Sequence, residues 1–512
     1  MKSKLALGHR ALTLEDVFEV AVNGQGVTLA EEARSRIQVA HEFLLSKVAT
    51  GETFYGINTG FGLLSNVRIP NSDVEGLQYN LLRSHATGMG PALEDSYVRA
   101  MLLLRASNLA IGHSGVSVSL VEQIIKVLNA GIIPVIPEQG SVGASGDLAP
   151  LSHLGLVLVG EGRARYQGKE VKGADALKAA GLTPVRLGPK EGLALINGTQ
   201  FMTALGVINL LEAEHLCDLA DLTGSMSLEA LRGTTAAFEP EIQSVRPHPG
   251  QIKAASNLRK LLLDGDQKSE ISASHVDCGK VQDPYSLRCM PQVHGATRDT
   301  LAFVRGVLER EINSVTDNPL VFPKDGKILS GGNFHGQIVA IAMDALSIAV
   351  AELANISEQR MEKLINPSLS DLPPFLTARG GLNSGFMIIQ VTAASIVSEN
   401  KTLCHPASVD SIPTSADKED HVSMGAWAAR KASKIVTNTK RVLSLELMAA
   451  SQGIDLLRPL KSTPVLEKIH ALLRTEVKKL EEDRAFFEDY PGLEKVMASK
   501  EFNETLRKCI HA

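Results

Sequence analysis

Long runs of apolar residues at helical spacing set the strongest limit on how this chain folds. They fall at roughly 199–222, 296–314, 337–364, 386–399 and 422–452. In the third, Ile338, Ile341, Ala345, Ile348, Ala349, Glu352 and Ile356 step round a helix, with small residues frequent enough for close helix contact. At ~1.5 Å per residue that helix reaches about 40 Å. Helices this long and apolar on more than one face need partners. A bundle whose outer surfaces are buried in an oligomer supplies them, and a large monomeric core is the plainer alternative.

Shorter helices are predicted at about 97–111 and 118–128, the latter stopped by Gly131 and Pro134. An earlier one has Thr28 and Glu31 spaced as a capping box before Ala33, Ile37, Ala40 and Leu44, and ends near Gly51. A final helix begins after Ser462-Thr463-Pro464, with proline in its first turn, and runs to about Arg484. Strands are a minor trim. Ala164-Arg165-Tyr166 and Glu170-Val171 flank Gln167-Gly168-Lys169, and Leu320-Val321-Phe322 and Lys327-Ile328-Leu329 flank Asp325-Gly326, each a plausible hairpin. By length alone 512 residues hold roughly three domains, a rule that long-helix bundles break. The expected class is mainly α: an N-terminal region over 1–200 and a long-helix bundle with C-terminal helices over 201–512.

The densest chemical signal is the stretch from Gly140 to Pro150, Gly-Ser-Val-Gly-Ala-Ser-Gly-Asp-Leu-Ala-Pro. Small residues around Ala144-Ser145-Gly146 let the Gly146 nitrogen approach the Ala144 carbonyl carbon, which a bulky side chain would block. If the ring then closes and two waters are lost, Ser145 becomes a dehydroalanine within a 4-methylidene-imidazol-5-one (MIO), an electrophile made from the chain itself. The bland reading is a glycine-rich turn before a helix. A hydrolase reading fails on spacing, since Gly143-Ala144-Ser145-Gly146-Asp147 lacks the final glycine of a nucleophile elbow. Gly60-Phe61-Gly62 likewise lacks the third glycine of a dinucleotide fingerprint.

The formal net charge of -5 offers no basic face for nucleic acid. The first residues form no apolar run long enough for a signal peptide, and no later segment reads as a membrane span, so the chain is expected in the cytoplasm. The five cysteines Cys217, Cys278, Cys289, Cys404 and Cys509 are scattered and signal neither a disulfide framework nor a zinc cluster.

With Leu151-Ser152-His153-Leu154-Gly155 added, the Gly140–Pro150 string resembles the signature of the aromatic amino acid ammonia-lyase family, most closely its histidine branch. Other strings carry the likeness from Tyr55 to about Pro459. They are Tyr55-Gly56-Ile57-Asn58-Thr59-Gly60-Phe61-Gly62, Leu195-Ile196-Asn197-Gly198-Thr199-Gln200, Gln282-Asp283-Pro284-Tyr285-Ser286-Leu287-Arg288-Cys289, Gly331-Gly332-Asn333-Phe334-His335 and Glu419-Asp420-His421-Val422-Ser423-Met424. The resemblance implies an aspartase/fumarase-like helical bundle and an MIO formed from Ala144, Ser145 and Gly146, with no external cofactor and no metal. It implies conversion of L-histidine to trans-urocanate and ammonia. It also implies a homotetramer with shared active sites, in which Tyr55, Tyr285 and Glu419 converge from different subunits, and no nucleic acid or membrane partner.

The chemistry accounts for the residue types. Eliminating ammonia removes a barely acidic β-proton and expels a poor leaving group, so the amine must be activated. Pyridoxal phosphate would need a Schiff-base lysine with a phosphate cup, and the sequence shows no glycine-rich phosphate loop with such a lysine. By resemblance Tyr55 is the general base, Asn197 and Tyr285 donate to the ring oxygen, and Phe334 packs beside the ring. Arg288 suits the substrate carboxylate, His85 and Glu419 its side chain, and Gln282 is a supporting contact. Within the family the rivals are a tyrosine ammonia-lyase and an MIO-dependent aminomutase; outside it, a catalytically silent structural or binding protein on a similar bundle. The chain departs from the histidine branch's usual pattern at Met290, His294, Gly336-Gln337 and Asp417-Lys418.

Overall fold

A computed structural model describes residues 3–50, 52–60, 66–70, 72–275 and 281–511. Gly51, Phe61, Gly62 and Cys278 lie outside these residues. The chain divides into two compact units: Met1–Asn209, Val304–Asp344 and Pro406–Ala432 in the first, and Leu210–Phe303, Ala345–His405 and Ser433–Ala512 in the second.

The long periodic segments are helices, at Gln200–Ala230, Met290–Glu311, Gln337–Ile365, Met387–Leu403 and Gly425–Leu456. Helices also form at Asp95–Ala110 and Val118–Asn129, the second capped by the Ser117 hydroxyl, which accepts from Leu120 N. Both expected hairpins are present. Arg163–Tyr166 pairs antiparallel with Lys169–Lys172 across Gln167 and Gly168, and Leu320–Phe322 pairs with Lys327–Leu329. The two-residue turn has φ 49° at Gln167 and 76° at Gly168, the left-handed pair that matches strand twist.

Three local readings need correction. Thr28 does not cap the helix Glu31–Ala49; it sits in the strand Val27–Leu29, paired parallel with Leu5–Leu7, and Ala30 takes the cap position without a side-chain bond. Strand pairing has outcompeted the capping pattern, although Ala33, Ile37, Ala40 and Leu44 are buried as expected. The last helix of the periodic pattern stops at Arg474, not Arg484, and separate helices follow at Tyr490–Ala498 and Lys500–Ile510. The helix Gln337–Ile365 is, by length and composition, apolar enough to cross a membrane, with an 18-residue window of mean hydropathy 1.7. The fold buries 56% of that window, and within the helix Asp344 lies 3.2 Å from the Lys431 ammonium, both largely buried. That is the setting of a core helix.

In the second unit the core is organised round a buried carboxylate. Glu446 accepts from Arg360 Nε at 2.5 Å and Nη2 at 2.9 Å, and from the hydroxyls of Thr223, Ser227 and Ser357 at 2.7 to 2.9 Å. Burial alone would raise its pKa, but Arg360 and the hydroxyls hold it below the usual carboxylate range. Two sequence departures lie in this unit's core: Met290 is fully buried, and His294 Nδ1 meets Asp221 Oδ1 at 2.8 Å beside Arg298.

Replacing Arg360 by leucine leaves Glu446 buried without a counter-charge. The expected loss is ~3–5 kcal/mol in denaturant unfolding near neutral pH. Because the folded pKa of Glu446 is depressed, the stability it contributes is present above the unfolded carboxylate pKa and is lost as pH falls through the folded value. The difference between parent and Arg360→Leu should therefore shrink in acid.

Candidate active site

The Gly140–Pro150 segment runs from the strand Pro137–Gln139 into the helix Leu148–Leu158. Gly143 and Gly146 take φ values of 65° and 75°, which glycine adopts at little cost. Within it Ala144 bridges to Gly146, and Gly146 in turn bridges to Gly198. The Gly198 carbonyl accepts from Asp147 N at 2.8 Å. A Cβ on Gly146 would collide with the Gly198 backbone, so this approach requires glycine. Ala144 and Gly146 are buried while Ser145 between them is half-buried, so the tripeptide presents its serine.

Side chains from distant segments hold this geometry. Arg105, fully buried in its helix, donates from Nη1 to the Asn197 carbonyl at 2.8 Å. Its burial lowers its pKa to about 10, against Asp317, which raises it. Asp317 also pairs with the buried Lys190 at 2.5 Å. Asp147 Oδ2 accepts from the Phe201 and Met202 amides at 3.1 Å each, anchoring the start of the helix Gln200–Ala230, and Oδ1 accepts from Ser141 at 2.9 Å. Burial pushes its pKa up to about 7, against the pull of those donors. Asn197 is buried; its Nδ2 donates to the Asn318 carbonyl at 3.0 Å, while its Oδ1 has no partner among the described residues. Asn318 reaches the Gly331-Gly332-Asn333-Phe334 string by accepting from Gly331 N at 2.7 Å.

Ser145 Oγ donates to Glu419 Oε1 at 2.8 Å. These two meet within one chain, so joining them requires no second subunit. His85 ends the helix Val74–His85, and its Nδ1 lies 2.9 Å from the Leu81 carbonyl, an acceptor only. In the neutral ring the proton therefore sits on Nδ1 and Nε2 is left to accept. Burial lowers the His85 pKa, while the Leu81 carbonyl and the nearby Glu419 charge raise it. Tyr55 is 36% exposed in a loop fixed by Asn58, which accepts from Phe54 N at 2.8 Å and donates to the Glu52 carbonyl at 2.8 Å. Phe334 is half-buried in the same unit.

Gln282, Tyr285 and Arg288 belong to the second unit. Tyr285 is 70% exposed, and the Arg288 guanidinium lies over its ring at 4.5 Å. Arg288 Nε is buried without a partner among the described residues. The sequence alone did not mark Gly198 as the partner of Gly146, nor Arg105 and Asp147 as supports. A charged residue inside the apolar helix Asp95–Ala110 was the one available signal for Arg105.

The family described as aromatic amino acid lyase matches residues 12–475. The histidine ammonia-lyase of Anaeromyxobacter dehalogenans is 54% identical over 502 residues, covering 96% of this chain and 98% of its own. A crystal structure of histidine ammonia-lyase from Trypanosoma cruzi has a TM-score of 0.91 at 45% identity, covering 99% of this chain and 96% of that one. Tyrosine aminomutase from Streptomyces globisporus has a TM-score of 0.93 at 36% identity, with 99% of each chain covered.

The Gly146–Gly198 approach makes a stability prediction. Gly168→Ala, at φ 76° with nothing within 4 Å of the added Cβ, should cost only the left-handed backbone term of ~1–2 kcal/mol. Gly146→Ala, at φ 75° but against backbone, should cost a further ~1–3 kcal/mol from overpacking. Urea unfolding of both variants measures the difference.

Proposed function

Because the chain belongs to the aromatic amino acid lyase family and has its helical, fumarase-like fold, we propose that it eliminates ammonia from L-histidine to give trans-urocanate. The observation that carries the reading is the backbone geometry at Ala144 and Gly146. Ala144 bridges to Gly146, and Gly146 is held by Gly198 where no Cβ fits. The residues fit an MIO, and the buried Asn197 close by carries two N–H donors on Nδ2, one of which goes to the Asn318 carbonyl. Once formed, the MIO supplies an electrophilic methylene for the substrate amine, so no external cofactor is called for.

The chain's own residues do the rest. Tyr55 takes the β-proton. Asn197 and Tyr285 donate hydrogen bonds where negative charge develops, and Phe334 packs beside the ring. Arg288 holds the substrate carboxylate bidentately, its guanidinium already oriented over the Tyr285 ring. His85 Nε2 and the Glu419 carboxylate are acceptors suited to the substrate's imidazole N–H, and Gln282 adds a supporting contact. The exposed Tyr285, together with Ile338, Ile341 and Ile348, each at least 44% exposed along one helix, supports a homotetramer with shared active sites. A cytoplasmic setting fits Cys217, Cys289 and Cys509 as thiols.

The likeness to tyrosine aminomutase favours tyrosine as a second reading. Histidine is preferred because of the 54% identity to a histidine ammonia-lyase and because Met290 and His294, two of the departures from that branch, are core residues.

Incubation with histidine, tyrosine and phenylalanine should release ammonia fastest from histidine; a preference for tyrosine would overturn the substrate while leaving the ring in place. Intact mass should fall short of the sequence mass by two waters in the parent, and Ser145→Ala should lack that full deficit and turn nothing over. Arg288→Met should keep the mass deficit but lose ~10- to 100-fold in kcat/KM for histidine, the equivalent of ~1.5–3 kcal/mol for a charged hydrogen bond.

A further inference from the structure

If the ring is to form, the hydroxyl of Ser145 must leave, and in this structure that hydroxyl is bonded to a carboxyl group: Ser145 Oγ lies 2.8 Å from Glu419 Oε1. Glu419 is held firmly. Its Oε2 accepts from the Thr414 hydroxyl at 2.6 Å, and its backbone pairs both ways with Thr414, at 3.0 and 3.3 Å. That pairing closes a turn in which Ser415, Ala416 and Asp417 have successive φ values of 51°, 52° and 61°. Three non-glycine residues in the left-handed region cost ~1–2 kcal/mol each, and such backbone persists only where surrounding structure determines it. The same loop grips the Gly140–Pro150 segment twice more: Ser423 Oγ donates to the Gly143 carbonyl and Met424 N to the Val142 carbonyl, each at 2.8 Å.

We infer that Glu419 is the general acid for the dehydration of Ser145, a task it performs before any substrate arrives; the inference rests on the ring reading above. With its carboxyl group protonated, the 2.8 Å contact runs from the Glu419 O–H to Ser145 Oγ. As the Cβ–Oγ bond breaks, that proton passes to Oγ, which departs as water instead of hydroxide. The Cα–H electron pair becomes the Cα=Cβ bond, the Cα proton goes to solvent water, and the carboxylate regains a proton from solvent. One water is released and no redox change occurs. The other water comes from the Ala144 carbonyl oxygen after Gly146 N has attacked its carbon. Loss of the Ser145 hydroxyl vacates Glu419 Oε1, so the carboxylate becomes available to substrate only after the electrophile exists.

The test is intact mass during maturation, read at intervals after a pulse of cell-free synthesis, for the full chain and for Glu419→Gln and Glu419→Asp. Glutamine keeps an acceptor for Ser145 Oγ but has no acidic proton, so a merely structural contact would survive the change. The parent should reach a two-water deficit. Glu419→Gln, folded by its melting temperature and sedimentation, should retain the Ser145 hydroxyl, with dehydration slowed at least ~10-fold, equivalent to ~1.4 kcal/mol or more in the barrier. A Glu419→Gln chain that reaches the two-water deficit at the parent rate overturns the inference. Should that variant not fold, Glu419→Asp decides: its acid is withdrawn by one methylene, so slower dehydration supports the inference and the parent rate overturns it. A parent that shows no deficit would instead remove the ring reading itself.

Discussion

Gly146 and Gly198 meet backbone to backbone, and much of the first unit serves to keep them there. The contact leaves no volume for a side chain on Gly146, and on Gly198 a Cβ would instead press on the side chains of Gln200, Thr316 and Arg105. Holding two backbone segments this close requires their remaining polar groups to be satisfied elsewhere. Arg105 takes the Asn197 carbonyl, and Asp147 takes both the Gly198 carbonyl through its amide and the first amides of the following helix through its carboxylate. Burying Arg105, Lys190 and Asp317 together is expensive in desolvation, and their mutual attraction and hydrogen bonds offset that cost.

Two carboxylates near this contact divide the work by environment. Asp147 is fully buried among donors and acts as a structural hub for the segment and the helix that follows it. Glu419 stands on a strained turn and faces the one side chain of the tripeptide that the fold leaves half-buried. A rigid scaffold with strain confined to a short loop is a common way to aim a reactive group, because the scaffold supplies the energy that holds the loop. The second unit's buried centre, Glu446 with Arg360 and three hydroxyls, plays no comparable role and reads as specification of helix packing.

Much of this was legible in the chain. Helix positions followed from apolar periodicity, and the long segments were found within a few residues, apart from the Met290–Glu311 helix, which starts earlier, and Gln200–Ala230, which extends further. Periodicity reports which residues face a core and says little about where capping, strand pairing or a turn will end an element. Thr28 shows the limit: its spacing to Glu31 suits a cap, yet the neighbouring Leu5–Leu7 strand claims its backbone. Arg484 shows the other, since charged residues continue a helical pattern past the point where packing stops supporting it.

What the sequence determined by itself was local chemistry: a small-residue tripeptide able to cyclise, a set of polar strings of the right kinds, and helices long enough to need one another. These are properties of neighbours along the chain, set by side-chain size, by backbone freedom at glycine and by the 3.6-residue period. Only the tertiary structure decided which of the many glycines faces Gly146, that a serine and a glutamate 274 residues apart share a hydrogen bond, and that Arg105 and Lys190 are buried rather than solvated. Those outcomes depend on how whole helices and loops pack, and packing selects among pairings that are equivalent in the sequence because each residue alone has the same bonding capacity wherever it is placed.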